Sequence, residues 1–217
     1  MAHQLVLASQ SPRRKELLER LGLSVKAIPA NITEESLPEE SAENYVKRMA
    51  REKVLNVVRR IRTTQYELTP QRVSRVTGKT SDSPLRWVVG ADTVVVADQQ
   101  ILEKPKDNTD AYEMLLQLSG REHVVITGFC IFDMTKEKEG IQAVRTRVRF
   151  KPLSKIEIEA YLSHGESMDK AGSYAIQSVG AYLVESIAGS YTNVVGLPLC
   201  QVVQMMEEMG AHEVLPF

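Results

Sequence analysis

The sequence predicts an α/β fold with a mixed sheet in a single domain, and three observations lead there. Short apolar strand-like runs and amphipathic helical stretches alternate along the chain, the pattern of helices layered on a sheet. The length, 217 residues, suits one large domain, and no internal repeat divides it. The hydrophobic fraction of 43% beside 25% charged residues is ordinary for a globular chain that builds its own core.

Each element has a local reason. Leu5-Val6-Leu7-Ala8 is a buried strand ending at Ser9. Ser11-Pro12 places a capping hydroxyl before a proline in the first helical turn, and Leu17, Leu18 and Leu21 give that helix an apolar face up to Gly22. Ser24 to Ala30 follows as a strand. From Ser41, apolar residues from Tyr45 to Ile61 recur at helical spacing, with acids before the helix and arginines at its end, as the macrodipole favours. Thr63 to Pro84 holds eight Ser or Thr and two Pro without periodicity, and reads as a mobile insertion loop. Trp87-Val88-Val89 is a strand that stops at Gly90-Ala91-Asp92-Thr93, with Val94-Val95-Val96 beyond. Asp110 to Leu118 is a helix; His123 to Phe132 and Val144 to Phe150 are paired strands, the second alternating with Arg145, Arg147 and Arg149 on its solvent face. Ser154-Lys155-Ile156-Glu157 is a capping box. Tyr182-Leu183-Val184 is a strand, and Leu197 to Met209 a final helix.

Composition excludes several classes of function. Lys plus Arg, 27, nearly balances Asp plus Glu, 28, whereas a general nucleic-acid or membrane-surface binder is usually more basic. Any anion site is therefore a local cluster. Cys130 and Cys200, 70 residues apart, read as buried reduced thiols. The first residues lack the basic start of a signal peptide, and no 18 apolar residues run together, so a soluble cytoplasmic protein is expected. The four histidines are scattered, and neither a phosphate-binding glycine loop nor a nucleophile triad is present.

Three spots could carry chemistry. At Ser9-Gln10-Ser11-Pro12-Arg13-Arg14 a strand runs through a polar turn into a helix, so free backbone N–H groups converge with two arginines. Arginines in a first turn oppose the helix dipole, a penalty that a bound anion would reverse; plain solvation is the competing reading. Gly90-Ala91-Asp92-Thr93, at the end of a strand, puts a carboxylate where such folds build sites, or is only a turn. Asp169 to Gln177 combines small residues with Lys170 and the Gln177 amide. Glu34, Lys53 and Glu103-Lys104-Pro105 add charges that singly pass for surface. Cations, carboxylates and a helix N-terminus together are the equipment of polyphosphate chemistry with a hard divalent ion.

In combination these pieces become specific. Leu7 to Arg14, Ala50-Arg51-Glu52-Lys53, Gly90 to Thr93, Glu103-Lys104-Pro105, Leu118-Ser119-Gly120, Thr127-Gly128, Asp169-Lys170-Ala171-Gly172 and Val195-Gly196-Leu197-Pro198 resemble, in order and over almost the whole chain, the Maf family of nucleoside triphosphate pyrophosphatases. The resemblance implies an elongated fold related to inosine triphosphatases, with two lobes around a cleft, and a homodimer. It implies hydrolysis of a nucleotide to monophosphate and pyrophosphate with a divalent metal, magnesium or manganese, whose ligands it leaves unnamed. It makes Asp92 the proton acceptor, links Arg13, Thr93 and Gln177 to substrate choice, and places Ser9, Glu34, Lys53 and Lys104 along the cleft. Asp169 to Gln177 looks like the branch acting on dTTP and UTP. The branch acting on 7-methyl-GTP, and a non-catalytic nucleotide-binding regulator of cell division, stay open at this point.

Overall fold

The computed structural model describes residues 4–68 and 85–216. A seven-stranded mixed sheet organises them. Strand β1 (Gln4–Leu7) pairs in parallel with β2 (Ser24–Ala27) and with β3 (Trp87–Ala97). The long strands β5 (Glu122–Asp133) and β6 (Lys138–Phe150) continue the sheet antiparallel to β3, and β7 (Val184–Ala188) closes it. The short β4 (Gln100–Leu102) pairs with the far end of β3.

One edge of β3 is shared by two strands that do not meet. β1 covers it from Trp87 to Val89, and β4 covers it from Val95 to Ala97. Among the described residues, Gly90 to Val94 have a strand partner on the β5 side alone. The sheet thus has a slot in its interior, across which the pairing of β3 with β5 is unbroken.

Side chains on β3 and β5 alternate between two layers. The long helix α2 (Ala42–Leu68) covers one face, with Ala50, Val54 and Val57 on Val88 and Cys130, and Tyr45, Val46 and Met49 on Val94 and Ile126. Two glycines let it lie close. A Cβ on Gly90 would sit 2.7 Å from Val54 Cγ2, and one on Gly128 would sit 2.3 Å from the Val46 carbonyl oxygen. The opposite face carries two separate cores. One gathers Ala91 and Phe129 with α1 (Pro12–Arg20) and α6 (Leu199–Glu208); the other gathers Val95 and Val125 with α3 (Asn108–Leu118) and α4 (Lys155–Ser163). Thr93 and Thr127 lie between them, at the seam of the two lobes.

Several expectations need correction. Gly90-Ala91-Asp92-Thr93 is not a strand end: β3 runs through it for 11 residues, because β5 supplies partners throughout. Helix α2 continues through Thr63–Leu68, the first part of the expected loop; residues 69–84 of that loop lie outside the described residues. Tyr182 and Leu183 end a 3₁₀ stretch, Ser178–Leu183, and strand pairing begins at Val184. The second strand stops at Ala27 rather than Ala30, and β6 begins at Lys138, earlier than expected. Cys130 is buried as expected, and burial pushes its thiol up to about 12; Cys200 is exposed on α6. The Ser154 capping box and the solvent-facing arginines of β6 are present. No helix among the described residues is long and apolar enough to cross a membrane.

Candidate active site

The slot opens into a cleft of about 770 Å³, lined by groups that arrive from both ends of the gap. Where β1 ends, the chain turns through Ser9 into α1. Ser11 caps that helix by accepting from the Arg14 N–H at 3.4 Å, with Pro12 in the first turn. Where β4 ends, Glu103 and Lys104 follow, and the Glu103 carbonyl accepts from the Gly172 N–H at 3.1 Å. That bond ties the strand end to the segment bearing Asp169, Lys170 and Gln177. Gly172 must be glycine: its φ is +67°, and a Cβ would meet Val95 at 2.9 Å.

On the α2 face, Asp92 accepts from Lys53 Nζ at 2.6 Å, and the same ammonium stands 2.8 Å from Glu34. The Lys53 and Asp92 side chains are each only 9% exposed, so the ion pair is nearly dry. Burial, the largest single influence, raises the Glu34 carboxyl pKa, and the charge and hydrogen bond of Lys53 together with Lys104 and Arg14 outweigh it, leaving a net depression. The close approach of α2 over Gly90 is what brings Lys53 to Asp92.

On the opposite face, Thr93 accepts from Arg14 Nη2 at 3.1 Å. Arg14 also donates to Ser9 Oγ at 3.2 Å and to the Gly196 carbonyl at 2.8 Å. Burial lowers the Arg14 pKa and nearby Asp92 opposes that shift; a guanidinium stays protonated regardless. Arg13 points across the cleft mouth to Asp169, 3.2 Å away, and Asp169 also meets Lys170 at 2.5 Å.

All eight residues singled out from the sequence, Ser9, Arg13, Glu34, Lys53, Asp92, Thr93, Lys104 and Gln177, line this one cleft. Gln177 and Lys104 face it without a partner side chain in the described bonds; Asp92, Lys53 and Glu34 form one ionic cluster. The sequence also carries a signal for Arg14: it shares the inward stripe of α1 with the buried Leu17 and Leu18 and the partly buried Leu21 at helical spacing, whereas Arg13 flanks it.

Among the described residues, no group of three His, Cys, Asp or Glu could cage a metal. Asp92 and Glu34 nevertheless converge on one nitrogen. Magnesium is commonly held by one or two carboxylates plus substrate phosphates, so this donor pair fits an ion that shares its ligands with a nucleotide.

A family profile described as Maf-like protein matches residues 4–209. A protein of Geotalea uraniireducens named dTTP/UTP pyrophosphatase is 44% identical over 211 residues, spanning 96% of each chain. One of the same name from Geobacter sulfurreducens is 45% identical over 210 residues, 96% of this chain and 97% of the relative. Another, from Syntrophotalea carbinolica, is 44% identical over 207 residues, 95% and 85% of the two chains. Among solved structures, a nucleoside-triphosphatase / dITP/XTP pyrophosphatase from Mycobacterium abscessus matches 98% of both chains at a TM-score of 0.38 and 12% identity.

Proposed function

The chain belongs to the Maf-like protein family, and from that premise we propose that it is a nucleoside triphosphate pyrophosphatase hydrolysing dTTP and UTP to the monophosphate and pyrophosphate. The observation that carries this reading is one cleft in which a buried carboxylate, Asp92, faces cations from three separate elements.

Asp92 is the group that orients a water and takes its proton as the water oxygen attacks the α-phosphorus. The Lys53 ammonium, 2.6 Å away, supplies this buried carboxylate's counter-charge and holds it in place. The bond from the α-phosphorus to the bridging oxygen breaks, and pyrophosphate leaves with the electron pair. Lys104, Arg13 and the N-terminus of α1 offset the charge on the phosphates. Asp92 and Glu34 would hold a magnesium or manganese ion; when bound it neutralises phosphate charge and acidifies water. Arg13 must exchange Asp169 for phosphate, which is feasible because Asp169 is 65% exposed.

Gln177 supplies an amide whose N–H can donate to a pyrimidine carbonyl and whose oxygen can accept from the base. Cytosine presents the reversed pattern, so a mismatched buried group costs about 1–3 kcal/mol, roughly 10- to 100-fold. The family resemblance adds a homodimer, and the sequence's charge balance and lack of a signal-like start add a cytoplasmic protein acting on a free nucleotide rather than on nucleic acid, which sedimentation and nucleic-acid competition can test.

The deciding experiment is a panel of dTTP, UTP, CTP, ATP and GTP with magnesium or manganese, read for monophosphate and pyrophosphate. dTTP and UTP should lead by at least about 10-fold. Release of single phosphates, or no turnover of any nucleotide despite tight binding, would overturn the reading in favour of a phosphatase or a regulator.

A further inference from the structure

Four polar groups run in line from the floor of the cleft into the seam between the lobes. Arg14 Nη2 lies 3.1 Å from Thr93 Oγ1, which lies 2.9 Å from Thr127 Oγ1, which lies 2.9 Å from the Asn193 carbonyl oxygen. The ends of this line allow no choice of direction. A guanidinium only donates and a carbonyl only accepts. Thr127 has one proton and gives it to Asn193, so Thr93 must give its own proton to Thr127 while receiving one from Arg14.

The far end is firmly fixed. Asn193 is fully buried on α5 (Tyr191–Val195), and its amide donates to the Val125 carbonyl at 3.1 Å and to Thr146 Oγ1 at 3.0 Å. Thr127 is fully buried as well, so water cannot compete for its hydroxyl.

We infer that Thr127, which never meets the substrate, fixes Thr93 as an acceptor toward the cleft and thereby makes Thr93 select a hydrogen-bond donor on the nucleoside. This rests on the nucleotide reading above. With its proton committed inward, Thr93 can offer the cleft only its second lone pair. A phosphate oxygen, itself an acceptor, gains nothing there. A nucleoside offers two kinds of donor, the ring N3–H of uracil or thymine and a ribose hydroxyl. Since dTTP has no 2′-hydroxyl, the ribose source would be the 3′-hydroxyl. Cytosine carries an acceptor at N3 and is rejected by the same polarity. Thr127 is a positioning residue in this scheme, and the Thr127-Gly128 pair combines it with the glycine that admits α2 on the other face.

The test compares kcat/KM for UTP, 3-deaza-UTP, which replaces N3–H by C–H, and 3′-deoxy-UTP. In the wild type, the analogue lacking the selected donor should lose roughly 10-fold, the scale of an unmet buried group. In Thr127→Val the Thr93 hydroxyl is free to turn, and that loss should shrink to under about threefold. Thr127→Ser keeps a hydroxyl and should restore the wild-type ratio, which a purely structural role would not require. The analogue that responds identifies base or ribose as the source. Unchanged ratios in Thr127→Val, a Ser variant behaving like Val, or a wild type indifferent to both analogues would each overturn the inference. Should Thr127→Val not fold, Thr127→Ala gives the same comparison in a smaller residue. A wild type that turns over no nucleotide overturns the underlying reading instead.

Discussion

Asp92 and Thr93 are adjacent in sequence, yet they project from opposite faces of β3 into unlike surroundings. Asp92 meets charge: Lys53 at 2.6 Å, with Glu34 sharing the same ammonium. Thr93 meets a hydroxyl-to-carbonyl line fed by Arg14. The first face can move a proton and gather cations; the second can only present a fixed pattern of donors and acceptors. On the proposed function, a strand with a period of two would separate reaction from recognition while keeping both within one cleft.

The sharpest way to break this division is Asp92→Asn. It should leave the fold and nucleotide binding in place and lower turnover by about 100-fold or more, the scale of losing a general base. A well-folded Asn variant with near-normal turnover in the pyrophosphate-release assay would remove the charged face from the chemistry. Lys53→Met should act on stability as much as on rate. Removing one partner of a buried ion pair strands the other, at about 3 kcal/mol, the low end of the usual range because Glu34 is 44% exposed. Urea unfolding reads that loss, and adding Asp92→Asn to Lys53→Met should recover at least about 1 kcal/mol of it. Full additivity of the two changes would mean the pair is not coupled.

On the recognition side, Gln177→Ala should narrow the UTP-to-CTP ratio by about 10-fold while reducing dTTP and UTP most. An unchanged ratio would leave Thr93 as the sole reader of the base. The smallest effect concerns pH. Glu34 has a depressed carboxyl pKa, so its stabilising contribution is complete above its ordinary value of 4.5 and is lost as pH falls below it. Because it is partly exposed, Glu34→Gln should flatten the acid fall in unfolding free energy, read by urea titration, by under about 1 kcal/mol. Thr127→Val, on the opposite face and without a titratable group of its own, should leave that pH dependence untouched.

Much of this arrangement is legible in the residues. The period-two and helical patterns locate most elements, and the paired motifs bring all eight selected side chains to one cleft. What misleads is Gly90, which reads as the end of a strand. In the folded chain its missing side chain serves α2, whose Ala50 carbonyl would lie 3.0 Å from a Cβ there. Close helix packing and strand termination leave the same glycine in the sequence, and only the tertiary partner separates them. Arg14 is hidden for a related reason: its neighbour Arg13 is chemically identical, and only the direction of the helix face distinguishes the arginine that bonds Ser9, Thr93 and Gly196 from the one that flanks it. The Thr93–Thr127 contact joins residues 34 apart, which no local pattern could pair.

The slot left between β1 and β4 also limits how such a protein can change. It spans five residues, about 16 Å of strand at 3.3 Å each. Inserting or deleting one residue ahead of Asp92 would alter its length by a small step and would also turn every following side chain to the other face. The acid would then meet Thr127 and Arg14, and the hydroxyl would meet Lys53. Only changes of two residues keep each side chain with its own partners. Homologues that handle longer or shorter substrates should therefore differ in the strands and loops bordering the slot, or by even numbers within it. A library of one- and two-residue insertions at Val89 would show that alternation directly in which variants retain activity.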